Sequence, residues 1–207
     1  MKTRFGKNEF QIVLLINTVR LRKPSSTMPH SNRIFEWLGS AGTVPYYLIP
    51  LNLVWSDRGV DFDLDHFESV ARRLENEPEY WRNLLRGAGW REQLAATTCA
   101  LVTGSRHLRE DFQEAIMLDS FIVPQLLVAL ALLHGDEVRG WLIATSAKEW
   151  PSERFKTYGA LEPVCQLLKI PFIPPSEYHN NLESDEYSIG KNSAAEHLEF
   201  WAPRIPA

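Results

Sequence analysis

The chain has 207 residues, 44% hydrophobic and 23% charged, which is long and apolar enough to bury its own core. Two cysteines, Cys99 and Cys165, exclude a disulfide framework, and no run approaches the roughly 20 apolar residues of a membrane helix. The net charge of −4 is uneven: in residues 1–27 six cations, Lys2 to Lys23, oppose only Glu9, leaving −9 on the remainder. Such an acidic body disfavours a surface that tracks nucleic-acid phosphates and suits a basic protein partner.

Residues 1–27 are basic, lack a helical face and end in Lys-Pro-Ser-Ser-Thr. Either they form a disordered arm, or Met28 is the true start and the upstream stretch is a mis-assigned extension. The apolar run at 12–16 is too short for a signal peptide. Asn17 and Arg20 follow it at once, with no small-residue cleavage site, so a cytoplasmic location is expected. The repeat domain is expected over 28–170 and a polar tail with a short docking helix over 171–207.

Within 32–39, Ile34, Phe35, Trp37 and Leu38 fit one short helix. Pro45 and Pro50 argue against a regular helix or central strand over 46–55, so an extended apolar segment is expected there. From Asp61 the period turns helical, with Leu64, Phe67, Val70 and Leu74 on one face and Asp61 or Asp63 as cap. Pro78 opens the next helix, which carries Trp81, Leu84 and Leu85, and Gly87 and Gly89 end it. A helix over Trp90–Thr103 stops at Gly104. Another spans 106–118, and Ser120 is expected to cap an almost wholly apolar one over 121–134. Asp136 is expected to cap a helix bearing Val138, Trp141 and Leu142. Pro163 is expected to kink or divide the helix that follows, and a last short helix covers 194–201.

Two apolar helices end alike, Ala100-Leu101-Val102-Thr103-Gly104 and Ala131-Leu132-Leu133-His134-Gly135, 31 residues apart. A period near 30 with two helices per unit marks a solenoid. Trp90-Arg91-Glu92-Gln93-Leu94-Ala95-Ala96, then Ala100-Leu101 and Gly104, resembles the second half of a HEAT-like repeat of the short, phycobilin-lyase type. The resemblance covers about 61–170 and implies an all-α fold of stacked helix pairs. It transfers no activity, and nothing here marks a bilin site. The chain is also similar to an uncharacterised group of bacterial proteins of about this size.

His107 and Asp111 stand four residues apart, on one face if both are helical. This spacing fits an oriented imidazole, a pair of metal ligands or a solvated face. No second pair completes a metal set, and no cofactor motif occurs, so neither is expected. Trp81-Arg82 and Trp90-Arg91 repeat a dipeptide of hot-spot residue types. Arg82 is the expected exposed cation, and Arg91, inside the HEAT-like match, is expected to bond to a neighbouring repeat. His66 and His134 read as structural, His134 favoured in its charged form at a helix C-terminus.

Together these point to a protein-binding repeat module, with an immunity or antitoxin-type protein as one version. The alternative is a HEAT-like enzyme on nucleic acid, similar to a DNA glycosylase, using Trp81, Trp90, Arg82 and Asp111. A chain beginning at Met28 is expected to give the circular dichroism and melting curve of the full chain. Loss of folding would make residues 1–27 an integral element.

Overall fold

The computed structural model describes residues 32–41, 44–51, 63–87, 89–118, 120–151, 154–173 and 184–205. The arm 1–27, Met28, Asp61 and residues 52–55 lie outside them. The described chain is all-helical apart from a two-residue antiparallel pair, Ser40–Ala41 (β1) against Val44–Pro45 (β2). Its α-helices are α1 Asn32–Leu38, α2 Leu64–Glu75, α3 Pro78–Arg86, α4 Trp90–Thr103, α5 Arg109–Met117, α6 Val123–His134, α7 Arg139–Ser146, α8 Phe155–Leu167 and α9 Asp185–Trp201.

Local chemistry sets several boundaries. The Asp63 carboxylate accepts from the His66 N–H at 3.0 Å and opens α2, and Pro78 occupies the first turn of α3. Gly104 ends α4 at φ 67°, letting the Ser105 N–H reach back to the Ala100 carbonyl at 3.0 Å. Two arginines close helices from a distance. Arg154 donates to the Ile116 and Met117 carbonyls at the end of α5, and Arg139 to those of Leu168 and Lys169 after α8.

The core sits on α6, of which every residue but Leu132 is buried. Leu126, Leu127, Ala129, Leu130 and Leu133, expected in the core, are there. Helices α4, α6 and α8 pack side by side, α3 lies against α4 and α5, α5 against α6, and α7 against α8. Cys99 and Cys165 are buried and free, and burial pushes both thiols up, Cys165 to about 11.

Several expectations are corrected. Tyr46–Leu51 is a 3-10 helix packed on α4 rather than an extended segment; its tight turns accept Pro50. Ser120 does not cap α6: its hydroxyl donates to the Gln93 side chain and accepts from the Ile122 N–H. Asp136 lies inside a 3-10 turn, Gly135–Val138, and binds Arg139 instead of capping α7. Pro163 lies within the continuous helix α8. The last helix begins at Asp185 rather than 194, because Ser184 caps it by accepting from the Tyr187 N–H.

Helix α9 owes its length to a close crossing with α8. A Cβ on Gly159 would fall inside van der Waals contact of the Tyr187 carbonyl, and one on Gly190 inside that of Lys156. Gly190→Ala is expected to cost about 1–3 kcal/mol by overpacking. Gly140→Ala, on an open face of α7, should gain up to about 1 kcal/mol. Equal melting temperatures for the two variants would contradict the crossing.

His197 of α9 is 3% exposed, and its Nε2 accepts from Gln125 Nε2 of α6 at 3.2 Å. Burial pulls it from an ordinary 6.5 to about 4, partly opposed by the Leu51 carbonyl. The imidazole is therefore neutral in the fold and protonates earlier in the unfolded chain. Stability should fall as pH drops below 6.5 and level off near 4, by on the order of 3 kcal/mol for this group. Urea midpoints between pH 7 and 4, compared with His197→Gln, check this; an equal acid loss in the variant would contradict it.

Candidate functional site

Asp111 stands in the first turn of α5, where a carboxylate complements the helix dipole. Its side chain is 3% exposed, so its charge needs partners. Two arginines one turn apart on α3 supply them. Arg86 Nε lies 2.6 Å from Asp111 Oδ1 and 3.0 Å from Glu114 Oε2, and Arg82 Nε lies 3.8 Å from Asp111 Oδ2. Although Oδ1 is close to Arg86, the N–H is not aimed at it, and the oxygen accepts no hydrogen bond among the described residues. The contact is an ion pair, and it ties α3 to α5.

The same seam opens into a cleft of about 350 Å³. Four arginines line it, Arg82, Arg86, Arg106 and Arg109, with His107 beside them and Asp111 buried at its base. Glu110 and Glu137 line it as exposed residues. Arg82 Nη1 donates to Glu79 at 2.7 Å, and Arg109 Nη1 reaches Glu137 only at 3.4 Å. Arg86 comes closest to its acids through Nε, and Arg106 has no ion pair among the described residues. Burial lowers the affinity of nearby His134 for a proton; Glu137 opposes the shift, while Arg109 and Arg106 add to it. The direction is opposite to the one expected from the position at a helix C-terminus, and burial is its largest cause.

Three of the six residues singled out from the sequence, Arg82, His107 and Asp111, therefore meet at one cleft. They do so by a different route from the expected helix face. His107 lies in the turn before α5, so its spacing to Asp111 is not a helical contact. Trp81 is 0% exposed; its indole N–H donates to the Ala96 carbonyl at 3.1 Å, and its ring meets the His107 ring at 5.4 Å. A buried indole cannot stack on a nucleic-acid base. Asp111 is buried and engaged by two guanidiniums.

Trp90 and Arg91 belong to a second surface. The half-buried Trp90 ring lies 5.6 Å from that of Phe121, and the Arg91 guanidinium covers Trp90 at 4.4 Å. Arg91 is thus exposed on its own helix rather than bonded to a neighbouring pair. Lys156 covers Phe121 at 4.1 Å and donates to its carbonyl at 2.8 Å, and burial lowers its proton affinity. Phe121 is 58% exposed, and Leu118 and Met117, a few residues before it in the chain, are 57% and 38% exposed.

Sequence reading missed Arg86, Arg106, Arg109, Phe121 and Lys156. The i, i+4 spacing of Arg82 and Arg86 was a usable signal, whereas the approach of α5 to α3 was not. Among the described residues no three of His, Cys, Asp and Glu lie close enough to hold a metal, and no helix is long and apolar enough to cross a membrane. In comparisons with known proteins, no family model, no curated protein and no solved structure matches this chain.

Two residues at the cleft, one buried beneath it and one exposed on its lining, are expected to separate in stability. Trp81→Ala should cost about 3–5 kcal/mol, and Arg106→Ala should stay within about 0.5 kcal/mol. Urea unfolding checks both, and a neutral Trp81→Ala would contradict its burial.

Proposed function

We propose that the protein is a binding module for another protein, built from stacked helix pairs of the HEAT-like kind. The side-by-side packing of α4, α6 and α8, with α3, α5 and α7 each against a member of that row, supports the stacked-pair reading. The observation that carries the binding reading is the Trp90–Phe121 edge. Exposed Phe121 meets a half-buried Trp, with Arg91 and Lys156 covering the rings, and exposed Leu118 and Met117 stand just before Phe121 in the chain. Aromatic and Arg anchors amid apolar surface are the composition that concentrates interface energy.

The charge of −9 on residues 28–207 supports a basic partner, brought in by long-range attraction and held by the aromatic edge. An immunity or antitoxin-type protein that covers the basic active site of a toxin is one version of this reading. Phe121→Glu tests it directly. The full chain, used as bait in native lysate, is expected to retain a stoichiometric protein partner. The variant should weaken that capture at least about tenfold while melting as the parent does. Undiminished capture by Phe121→Glu, or no stoichiometric partner for the parent, would overturn the proposal.

A further inference from the structure

We infer that the arginine cleft is a binding site for a phosphate monoester. This reading is independent of the aromatic edge and of the protein-binding proposal. It begins with donors that have nothing to bind. Arg86 makes its shortest contacts to Asp111 and Glu114 through Nε, and none of its nitrogens donates a hydrogen bond among the described residues. Arg82 donates only through Nη1, to Glu79, and Arg106 has no ion pair there at all. All three guanidiniums line one cleft of about 350 Å³ with Arg109 and His107.

The number of guanidiniums selects the ligand geometry. A carboxylate offers two oxygens in one plane, which one or two guanidinium forks satisfy. Three or four guanidiniums around a small volume match a tetrahedral group with an oxygen for each. Asp111 supplies the preorganisation: 3% exposed and paired with both α3 arginines, it holds them at the cleft without filling it. A second polar group nearby is also unsatisfied. His134 is 5% exposed, its Nε2 has no hydrogen-bond partner among the described residues, and it lies within charge range of Arg106, Arg109 and Glu137.

Charge limits the ligand's size. The lining sets four guanidiniums against three carboxylates, and Glu79 and Glu114 pair with Arg82 and Arg86 from outside it. Asp111 is engaged by Arg82 and Arg86, while Glu110 and Glu137 are exposed and screened by solvent. A compact dianion inside the cleft meets the arginines at close range. An extended polyanion would instead lie along the acidic body and be repelled. The chemistry is therefore a single phosphate monoester, carried by a phosphorylated side chain of a protein or by a small molecule.

The test uses the full chain in sodium phosphate, sodium acetate and sodium chloride at equal ionic strength. Phosphate also stabilises proteins by exclusion from their surface, so the quantity read is the difference between the parent and Arg106→Ala. Phosphate is expected to raise the parent's melting temperature by roughly 2–4 °C more than that of Arg106→Ala, whose own melting in chloride should match the parent's. Acetate should produce no such difference. Calorimetry with O-phosphoserine and with a phosphoserine peptide then separates the sources. At least tenfold tighter peptide binding assigns the site to a phosphorylated protein, and equal binding assigns it to a small monoester. Equal phosphate effects in parent and variant, or an acetate effect as large as that of phosphate, would overturn the inference.

Discussion

A carboxylate that is 3% exposed cannot stand alone, and Asp111 sits where α5 turns to meet α3. Its solvation is replaced by Arg86 and, at longer range, by Arg82. That exchange does two things at once. It fixes the seam between the outer helices, and it leaves the far ends of both guanidiniums facing a cleft. Removing one partner of such a pair leaves an uncompensated charge, so the seam and the cleft stand or fall together.

The seam lies where it does because α6 takes the apolar surface. Its burial on nearly all sides draws α4, α5, α8 and α9 around it and leaves ionisable side chains to the outer edges. One edge becomes the arginine cleft of α3 and α5. Another, where α4 and α8 begin beside the approach to α6, keeps Trp90, Phe121 and Lys156 together. The first surface is lined by charge, and the second offers aromatic area. A protein with both can combine the sign of a partner with a fitted contact.

Much of the helical order was legible from single residues. Asp63, Pro78, Gly87, Gly89 and Gly104 mark boundaries by backbone chemistry that needs no tertiary context. The misreadings arose where a distant group intervened. Ser120 accepts from the Ile122 N–H in the turn ahead of α6, which begins only at Val123, while donating to Gln93; Asp136 fits a cap on sequence alone, but Arg139 binds it. The early turns of α9 read as polar because its buried stripe includes Gly190 and His197 between Tyr187, Ala194 and Trp201, and Gly190 serves a close crossing with α8. At the cleft, His107 and Asp111 stand out in the sequence for a helical spacing that is not present, since His107 precedes α5, and Arg82 for its Trp-Arg dipeptide. They meet because α3 packs on α5. Arg106 was hidden for the complementary reason: an arginine in a turn reads as solvated until its neighbours are known. The HEAT-like resemblance rests on the residues that carry it.

The central claim is that Asp111 and Arg86 are energetically coupled across the α3–α5 seam. A double-mutant cycle with Asp111→Ala and Arg86→Ala, followed by urea unfolding, measures that coupling without reference to any ligand. The account predicts non-additivity on the order of 0.5–3 kcal/mol, falling only partly in high salt because the carboxylate is buried. Additivity within about 0.5 kcal/mol would show that the pair is an incidental contact, and the seam would need another explanation.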